Sequence, residues 1–226
     1  MHNTKLYTPL KANVTKIKKQ TPDTKTYTLE VEGGKFKFKP GQFNMVSIMG
    51  YGECPISISS SPLETETIDH TIRAVGSMTN LIDGFKEGSV LGLRGPYGNS
   101  WPVEEARGKN VLIVVGGIGL APLRPFIYQM FGQREDFKKI QILYGARTPD
   151  DMLFTDEFDF MGNQPDTHLY LTVDKAPENR KWEHGVGVVT TLYEEADMNP
   201  ANTIAVTCGP EIMMRFVCRG LVSRGF

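Results

Sequence analysis

The sequence predicts a two-domain protein in which a six-stranded antiparallel β-barrel is followed by a parallel α/β sheet. The chain has 226 residues, enough for two domains that each bury a core. Residues from about 8 to 100 read as short strands between turn residues, whereas from Lys109 onward apolar strands alternate with amphipathic helical stretches. We place the domains at residues 1–103 and 104–226, because the polar stretch between them contains Pro102 and Gly108.

The strands of the first domain are predicted from β-branched and aromatic residues that lie between turn residues. They cover residues 12–20, 24–31, 42–47, 56–60, 67–75 and 90–94. The turns contain Gly33-Gly34, Pro40-Gly41, residues 50–52 and Pro62. No helical period appears before residues 80–85. Short strands with this spacing are typical of a small antiparallel barrel.

The second domain is predicted to contain a parallel sheet with strands at residues 111–115, 140–144, 168–173 and 203–208. The first of these is a run of apolar residues, all β-branched except Leu112, as expected for a strand that is buried on both faces. Strands that alternate with helices imply right-handed crossover connections. The domain is therefore expected to be Rossmann-like, with its ligand beyond the carboxyl ends of the strands.

Composition excludes several classes of function. Lys and Arg number 25 against 26 acidic residues, so net charge favours neither nucleic acid nor an anionic membrane as a partner. No window reaches the roughly 18 apolar residues of a membrane span, and residues 1–5 lack the apolar segment of a secretory signal. Cys54, Cys208 and Cys218 are too scattered for a disulfide framework or a four-ligand metal site. We expect a cytoplasmic protein with small-molecule ligands and no metal site.

A glycine-rich turn follows the strand at residues 111–115. Gly116, Gly117 and Gly119 allow a sharp change of direction and the close approach of a ligand to the main chain. Pro122 suits the first turn of the helix that should follow. The amides of that turn lack intrahelical acceptors and can bind a phosphate. A tight strand-to-helix turn also requires glycine for structural reasons, so the motif alone does not decide between the two interpretations.

The other strands of the predicted sheet end on comparable residues. Gly145-Ala146-Arg147, Asp174 and Cys208-Gly209-Pro210 each follow one strand. Because the carboxyl ends of parallel strands meet at one edge of a sheet, we expect these residues to form one site. Two alternatives remain open at this point. Cys208 could be a buried structural thiol and Arg147 a solvated surface charge.

Hydroxyl-bearing residues mark two places in the first domain. In the strand predicted at residues 56–60, alternation puts Ser57 and Ser59 on one face and Ile56 and Ile58 on the other, so one face is polar and can bind a ligand. Further on, Gly76-Ser77-Met78-Thr79 leads from a strand into a helix and is a potential anion site. Ordinary helix capping is the alternative for this second place.

A set of motifs that occurs in order along nearly the whole chain resembles the ferredoxin-NADP reductase superfamily. The resemblance is greatest to its flavin-containing electron-transfer subunits, which include those of sulfhydrogenase, anaerobic sulfite reductase and dihydroorotate dehydrogenase. The motifs are Pro40-Gly41-Gln42-Phe43, Pro55-Ile56-Ser57-Ile58-Ser59-Ser60, Ile72-Arg73-Ala74-Val75-Gly76, Leu93-Arg94-Gly95-Pro96-Tyr97-Gly98, Gly116-Gly117-Ile118-Gly119-Leu120-Ala121-Pro122, Tyr144-Gly145-Ala146-Arg147 and Cys208-Gly209-Pro210.

The resemblance implies a flavin, FAD in preference to FMN, on the barrel with its ring toward a nicotinamide dinucleotide on the second domain. The residues implied in flavin binding are Pro55, Ile56, Ser57, Ile58, Ile72, Arg73, Ala74, Gly76, Ser77, Met78 and Thr79. Those implied in NAD(P)H binding are Gly116, Gly117, Gly119, Pro122, Arg147, Cys208, Gly209 and Pro210. Ser57 and Cys208 are the residues implied at the reacting rings. Since the cofactors carry the hydride chemistry, no dedicated acid or base is expected.

The chain departs from the family pattern in two places. An arginine and a tyrosine found in the flavin strand of many members are Cys54 and Ile56 here, which predicts weaker flavin binding. The electron-transfer subunits continue with a further strand and a cysteine-rich segment for a [2Fe-2S] cluster, whereas this sequence ends at Phe226 and its 3 cysteines cannot supply four thiolates. We expect the second domain to lack its final strand and the cluster segment, either because the chain is truncated or because electrons pass directly to a partner.

The implied function is that of a subunit that passes electrons from NAD(P)H through FAD to a partner subunit with iron–sulfur clusters. The expected assembly is a hetero-oligomeric hydrogenase, sulfur-reducing complex or similar anaerobic redox complex. Two other functions stay open, a stand-alone reductase of a soluble acceptor and a nucleotide-responsive module without turnover. The choice between NAD and NADP stays open as well, because Arg147 would attract a 2′-phosphate that Asp150 and Asp151 would repel.

Overall fold

The computed structural model describes residues 8–178 and 181–226, which form two compact units. Of these described residues, the first unit comprises those up to Trp101 together with Ala121–Gln129, and the second comprises those in Pro102–Leu120 and from Met130 onward. The first contains a 6-stranded antiparallel sheet and the second a 5-stranded parallel sheet. These two sheets confirm the predicted fold class.

The first unit is a closed barrel. Its elements are β1 (Leu10–Thr21), β2 (Thr24–Val31), β3 (Phe43–Ile48), β4 (Gly52–Ser57), β5 (Ile68–Arg73), the helix α1 (Ser77–Asp83) and β6 (Val90–Tyr97). The strand order is β4-β3-β6-β1-β2-β5. An antiparallel bridge links Ile58, the residue after β4, to His70 of β5, and the Ser59 amide donates to the Asp69 carbonyl at 2.8 Å. These links close the sheet along a short seam.

The barrel interior is filled by alternate residues of the strands, as the two-residue period of a β-strand requires. The buried apolar set includes Ala12, Val14, Tyr27, Leu29, Val31, Val46, Ile58, Ile68, Ile72, Leu91 and Leu93. Each large side chain in this set stabilises the fold by about 1.5–3 kcal/mol. Tyr27 also donates its hydroxyl to the Ile82 carbonyl at 3.0 Å, which attaches α1 to the barrel.

The strand that we predicted at residues 56–60 lies earlier, as β4 (Gly52–Ser57). A tight hairpin pairs Ile48 with Gly52, and Gly50 and Gly52 have φ values of +81° and +124° that only glycine adopts readily. The hairpin therefore starts β4 sooner than β-propensity indicates. Beyond Ser57 the chain leaves the regular ladder, so the predicted alternation does not continue through Ser59.

The second unit contains the 5-stranded parallel sheet. Its elements are α2 (Val103–Ala106), β7 (Asn110–Gly116), β8 (Ile140–Ala146), α4 (Phe158–Gly162), β9 (Thr167–Val173), β10 (Gly185–Val186), β11 (Thr203–Cys208) and α5 (Glu211–Val222). The helix α3 (Leu120–Gly132) follows β7. The strand order is β10-β9-β8-β7-β11. All residues from Val111 to Val115 are 0% exposed, which confirms a strand that is buried on both faces.

Three further observations concern membranes, metals and thiols. Within residues 8–178 and 181–226, no helix is both long enough and apolar enough to cross a membrane. In the same residues, no group of three or more His, Cys, Asp or Glu side chains has the arrangement of a metal site. Cys54, Cys208 and Cys218 are free thiols; Cys218 is exposed, whereas Cys54 and Cys208 are partly buried.

Candidate functional site

The turn after β7 contains glycines of two kinds. A Cβ atom on Gly116 would lie 2.3 Å from Met213 Sδ, and one on Gly119 would lie 2.4 Å from the Cys208 carbonyl oxygen. Gly117 has a φ of +53°, and a Cβ atom there would meet no other atom within 4 Å. Gly116 and Gly119 are therefore required for packing, whereas Gly117 leaves open space in which a ligand can approach the main chain.

Tyr144 of β8 holds the main chain of this turn at the Gly117 carbonyl. The Tyr144 hydroxyl donates to the Gly117 carbonyl at 3.2 Å and accepts from the Leu153 amide at 2.9 Å. Burial raises the pKa of Tyr144 far above its ordinary value, so the hydroxyl remains a donor. The first amides of the helical segment that begins at Gly117 have no intrahelical acceptor, and Pro122 in the first turn of α3 has no amide hydrogen to satisfy. These amides can bind an anion.

A second glycine turn, Cys208-Gly209-Pro210, joins β11 to α5. β11 pairs with β7 up to the pair formed by Cys208 and Val115, so the two turns begin side by side. A Cβ atom on Gly209 would lie 2.8 Å from Met213 Cε and 3.2 Å from the Gly116 amide nitrogen. The structure thus brings Gly116, Gly117, Gly119, Cys208 and Gly209 together at the carboxyl edge of the sheet.

Cys208 carries a neutral thiol. Burial raises the pKa of the Cys208 thiol, and a hydrogen bond that involves Gly209 offsets this only in part. A protonated thiol is a poor nucleophile, and it behaves as a compact, weakly polar side chain. Cys208 can therefore shape a binding surface, but it is not equipped for covalent chemistry.

Arg147 lies at the same sheet edge, directly after β8. Its main chain is fixed, because the Lys175 amide donates to the Arg147 carbonyl at 3.0 Å. Its guanidinium is exposed and donates to the Asp151 carboxylate at 2.7 Å. Thr148 donates to the other oxygen of the same carboxylate at 2.8 Å. The positive charge of Arg147 is therefore already balanced by a fixed acidic group.

In the barrel, the two predicted serine hydroxyls have different roles. Ser59 is 0% exposed, and its hydroxyl lies 2.9 Å from the Thr71 hydroxyl and donates to the Asp69 carbonyl at 3.2 Å. Ser57, the last residue of β4, is half-buried, and its hydroxyl bonds to no other residue that the structure describes. Of the two, only the Ser57 hydroxyl remains for a ligand.

The apolar residues predicted around Ser57 differ in what they can present to a ligand. Pro55 is exposed and Ile56 is partly buried against the barrel core. Ile58 and Ile72 are 0% and 4% exposed and belong to that core. Their side chains fill the barrel, so Ile58 and Ile72 can offer a ligand only main-chain atoms. Ala74, directly after β5, is half-buried.

Arg73 is oriented by an acidic partner. Its Nε donates to Asp23 Oδ2 at 2.7 Å, and its terminal nitrogens have no partner among the residues described. Burial by itself would raise the pKa of Asp23, but hydrogen bonds from Arg73, Thr24 and Thr21 bring it below its ordinary value. Asp23 therefore stays ionised and fixes one side of the guanidinium, which leaves the other side for an anion.

The segment from Gly76 to Thr79 combines helix capping with unused donors. Thr79 Oγ1 accepts from the amides of Val75 and Gly76 at 3.1 and 2.9 Å and donates to the Gly76 carbonyl at 3.2 Å. Capping thus occupies the Thr79 hydroxyl. Ser77 is exposed, and its hydroxyl makes no bond within the part of the chain that the structure describes. Ser77 and Met78 also carry first-turn amides that lack helical acceptors.

Sequence reasoning missed several residues that hold these segments in place. In the first unit, Arg124 donates to the Ser59 carbonyl at 2.6 Å, and Trp101 Nε1 donates to the Pro122 carbonyl at 2.8 Å. Arg124 is the one charged residue in the helix α3, and a charge in such an apolar helix indicates a buried partner. Tyr144 and Met213 carry no comparable signal, because tyrosine and methionine are ordinary core residues.

A closed antiparallel barrel followed by a parallel sheet with adjoining glycine turns defines a two-domain nucleotide-binding oxidoreductase. Residues 11–101 match the oxidoreductase FAD-binding domain family, and residues 113–219 match the oxidoreductase NAD-binding domain family. The chain belongs to the ferredoxin-NADP reductase superfamily of FAD- and NAD-binding oxidoreductases. This confirms the resemblance inferred from the sequence motifs.

Individual relatives give the same assignment. The chain is 36% identical to sulfhydrogenase 2 subunit gamma of Pyrococcus furiosus, over 97% of this chain and 80% of the relative. It is 32% identical to a probable dihydroorotate dehydrogenase B (NAD(+)), electron transfer subunit, of Methanocaldococcus jannaschii, over 92% and 72% of the two chains. A ferredoxin NADP+ reductase from Neisseria gonorrhoeae, solved with FAD and NADP, shares the fold with a TM-score of 0.81 at 18% identity, over 95% and 91% of the chains.

Proposed function

We propose that this protein is the FAD-dependent electron-transfer subunit of a multi-subunit oxidoreductase and takes electrons from NADH. Two relatives that cover most of the chain are named as a gamma subunit and an electron transfer subunit. The observation that carries the proposal is the adjoining pair of glycine turns, in which Gly117 alone leaves its main chain open. When bound, FAD supplies the chemistry, since it can accept a hydride and release electrons one at a time.

On the barrel, the polar groups left without protein partners fit the parts of FAD. The Ser57 hydroxyl would bind the ring, and Pro55 and Ile56 would supply apolar contact beside it. The terminal nitrogens of Arg73 and the hydroxyl and amide of Ser77 would bind the pyrophosphate. Neutral and charged donors of this kind orient a flavin without any acid or base.

On the second unit, the open turn would hold NADH. The amides at Gly117–Gly119 would bind its pyrophosphate, as helix N-termini bind anions. Gly209 and the neutral Cys208 thiol would contact the nicotinamide. A compact uncharged side chain excludes water from the ring without introducing a competing nucleophile.

The Arg147–Asp151 ion pair supports a preference for NADH over NADPH. A 2′-phosphate requires a cation that is not already neutralised, and the Arg147 guanidinium is bonded to a carboxylate that Thr148 also holds. The ribose hydroxyls of NADH carry no charge and can donate hydrogen bonds to a carboxylate. We infer that Asp151 disfavours NADPH.

An absorption spectrum followed by anaerobic nucleotide titration tests the proposal. The purified protein, reconstituted with FAD if necessary, should be yellow and should bleach on addition of NADH, and less readily with NADPH. Gly117→Val is the matched control, because it should retain the flavin spectrum and respond to dithionite but not to NADH. A protein that binds neither FAD nor FMN would contradict the proposal, and nucleotide binding without bleaching would identify a non-catalytic module.

The proposed electron acceptor is a partner subunit with iron–sulfur clusters, in a hydrogenase, sulfur-reducing complex or similar anaerobic assembly. Anaerobic purification of the tagged protein from its native cells should yield a larger complex with iron–sulfur absorbance. In that complex NADH should reduce the clusters, and the Gly117→Val protein should assemble without reducing them. A monomer that rapidly reduces free ferredoxin would instead identify a stand-alone reductase.

A further inference from the structure

The end of β4 is held by a buried polar pair, His70 and Asn44, that forms no part of the proposed cofactor contacts. His70 on β5 and Asn44 on β3 are both 0% exposed. His70 Nδ1 lies 2.9 Å from the Ser57 carbonyl oxygen, and His70 Nε2 lies 3.1 Å from Asn44 Nδ2. A carbonyl can only accept a hydrogen bond, so Nδ1 carries the proton and Nε2 accepts from the Asn44 amide. The imidazole is neutral and in one tautomer.

Asn44 is itself confined. A Cβ atom on Gly95 would lie 2.1 Å from Asn44 Oδ1, so the amide oxygen packs directly against the Gly95 main chain. That oxygen has no hydrogen-bond partner within the described part of the chain. A buried acceptor without a partner is destabilising, by comparison with an apolar side chain of similar shape. An asparagine at this position therefore stabilises the barrel less than an apolar residue would. Its specific contribution is the amide nitrogen, which donates to His70.

The peptide between Ser57 and Ile58 is fixed at both of its polar groups. His70 binds its carbonyl, and its amide, on Ile58, donates to the Gln42 carbonyl at 3.1 Å. The Ile58 side chain is fully buried. On one side Ser57 lies opposite Phe43 of β3, and beyond Ser57 the Ser59 amide and carbonyl bond to Asp69 and Arg124. The Ser57 carbonyl itself is bonded to His70. The orientation of this peptide, which begins at Ser57, helps to set the direction of the Ser57 hydroxyl.

We propose that His70, oriented by Asn44, is a positioning residue that fixes the Ser57 main chain and thereby aims the Ser57 hydroxyl at bound FAD. The inference rests on the proposed function, since it assigns His70 a role toward the same cofactor. A hydrogen bond to the ring tunes the electronics of a flavin as well as its affinity. His70 therefore sets both the dissociation constant and the midpoint potential of the flavin without touching it.

Three variants separate positioning from plain stability. His70→Leu removes the donor to the Ser57 carbonyl, whereas His70→Asn places an amide N–H where Nδ1–H lies. Thr71→Val is the matched control: it removes a buried polar group of the same strand, whose hydroxyl bonds to Thr26 and Ser59 but not to Ser57. The measurements are the FAD dissociation constant, the midpoint potential of the bound flavin, the melting temperature, and the exchange rate of the Ile58 amide in flavin-free protein.

His70→Leu should weaken FAD binding about tenfold, about 1.4 kcal/mol, shift the midpoint potential and accelerate Ile58 exchange, and His70→Asn should restore most of each. Thr71→Val should lower the melting temperature while the dissociation constant and the potential stay at wild-type values. If His70→Leu behaves like Thr71→Val, the proposal is wrong. If His70→Leu does not fold, Asn44→Ala tests the same claim through several-fold weaker binding and faster Ile58 exchange, and wild-type values for both would overturn it.

Failure of the proposed function gives a different result. In that case wild-type protein does not bind FAD, but the exchange rate of the Ile58 amide still shows whether His70 and Asn44 hold the Ser57 main chain. Ile58 exchange that stays at the wild-type rate in His70→Leu would overturn the positioning role independently of any flavin. Faster exchange in His70→Leu, restored by His70→Asn and absent in Thr71→Val, would support it.

Discussion

At the scale of single residues, buried polar side chains distinguish the structural from the functional part of the barrel. Thr26, Ser59 and Thr71 satisfy one another through hydroxyl contacts of 2.9 Å. Such a satisfied network adds rigidity but leaves nothing for a ligand. Ser57 lies at the edge of this network with an unused hydroxyl, and His70 connects the barrel interior to its carbonyl. The residue next to the network, not the network itself, is the one suited to bind.

Buried His70 should make the stability of the protein depend on pH. Burial lowers the pKa of His70 to about 4, from 6.5 for an ordinary histidine. The unfolded chain therefore binds a proton between pH 6.5 and 4 that the native protein does not. The stability contributed by neutral His70 is complete above about pH 6.5 and is lost as the pH falls toward 4, by up to about 3 kcal/mol.

Urea unfolding at several pH values measures this effect. The free energy of unfolding of wild-type protein should fall over this range by about that amount relative to His70→Asn, which has no imidazole to titrate. Thr71→Val serves as the control, because it should reduce stability by a similar amount at every pH. Parallel curves for wild type and His70→Asn would show that His70 is not a buried neutral imidazole.

Substitution by alanine should have different effects at the two kinds of glycine in the turn after β7, mainly on stability at Gly119 and mainly on NADH binding at Gly117. Gly119→Ala forces a Cβ atom against the Cys208 carbonyl, so we expect a loss of about 2–3 kcal/mol of stability. Gly117→Ala should cost only about 1 kcal/mol, from the left-handed backbone, but its Cβ atom enters the open space and should weaken NADH binding at least about tenfold. Denaturant unfolding and calorimetry measure the two effects, and equal NADH affinity in Gly117→Ala and wild type would remove Gly117 from the site.

At the scale of elements, the sequence is most informative where one physical signal dominates. The strands at Thr24–Val31 and Thr203–Cys208 have the predicted bounds, because turn residues and apolar runs agree there. β4 is misplaced, since a hairpin with two positive-φ glycines outweighs β-propensity. β10 (Gly185–Val186) is too short for any periodicity to reveal. Hydroxyl alternation selects Ser57 and Ser59 together, but it cannot show that the chain leaves the ladder before Ser59, whose hydroxyl is buried.

The segment after β8 should determine the choice of nicotinamide. Asp151→Asn removes the charge that is bonded to Arg147 while keeping an acceptor for Thr148. The released guanidinium should attract a 2′-phosphate, so the ratio of kcat/KM for NADPH to that for NADH should rise about tenfold, about 1.4 kcal/mol. Steady-state reduction of an artificial acceptor measures the ratio. Glu157→Gln, in the following helical segment, is the charge-matched control and should leave it unchanged.

At the scale of the whole molecule, the candidate FAD site of the first unit and the candidate NADH site of the second unit have a similar composition. In both units the proposed contacts come mainly from the main chain and uncharged side chains, and the charged side chains Arg73 and Arg147 are held by acidic partners. Among the described residues at these sites, burial raises the pKa of the Cys208 thiol, which stays protonated, and, against the effect of burial, hydrogen bonds lower the pKa of Asp23, which stays ionised beside Arg73. This is the arrangement expected when bound cofactors perform the chemistry and the protein supplies orientation.

If each unit binds its own nucleotide, substitutions should weaken FAD binding and NADH binding separately. Ser57→Ala removes the unused barrel hydroxyl and should weaken FAD binding about fivefold to tenfold, about one hydrogen bond, while NADH affinity stays at the wild-type value. Gly117→Val should do the reverse, because its side chain occupies only the open turn of the second unit. Saturating FAD should therefore restore NADH-driven bleaching in Ser57→Ala but not in Gly117→Val.

Calorimetry with each nucleotide and stopped-flow absorbance provide the measurements. A variant that loses both affinities together, without loss of fold by circular dichroism, would show that the two units do not bind their nucleotides independently.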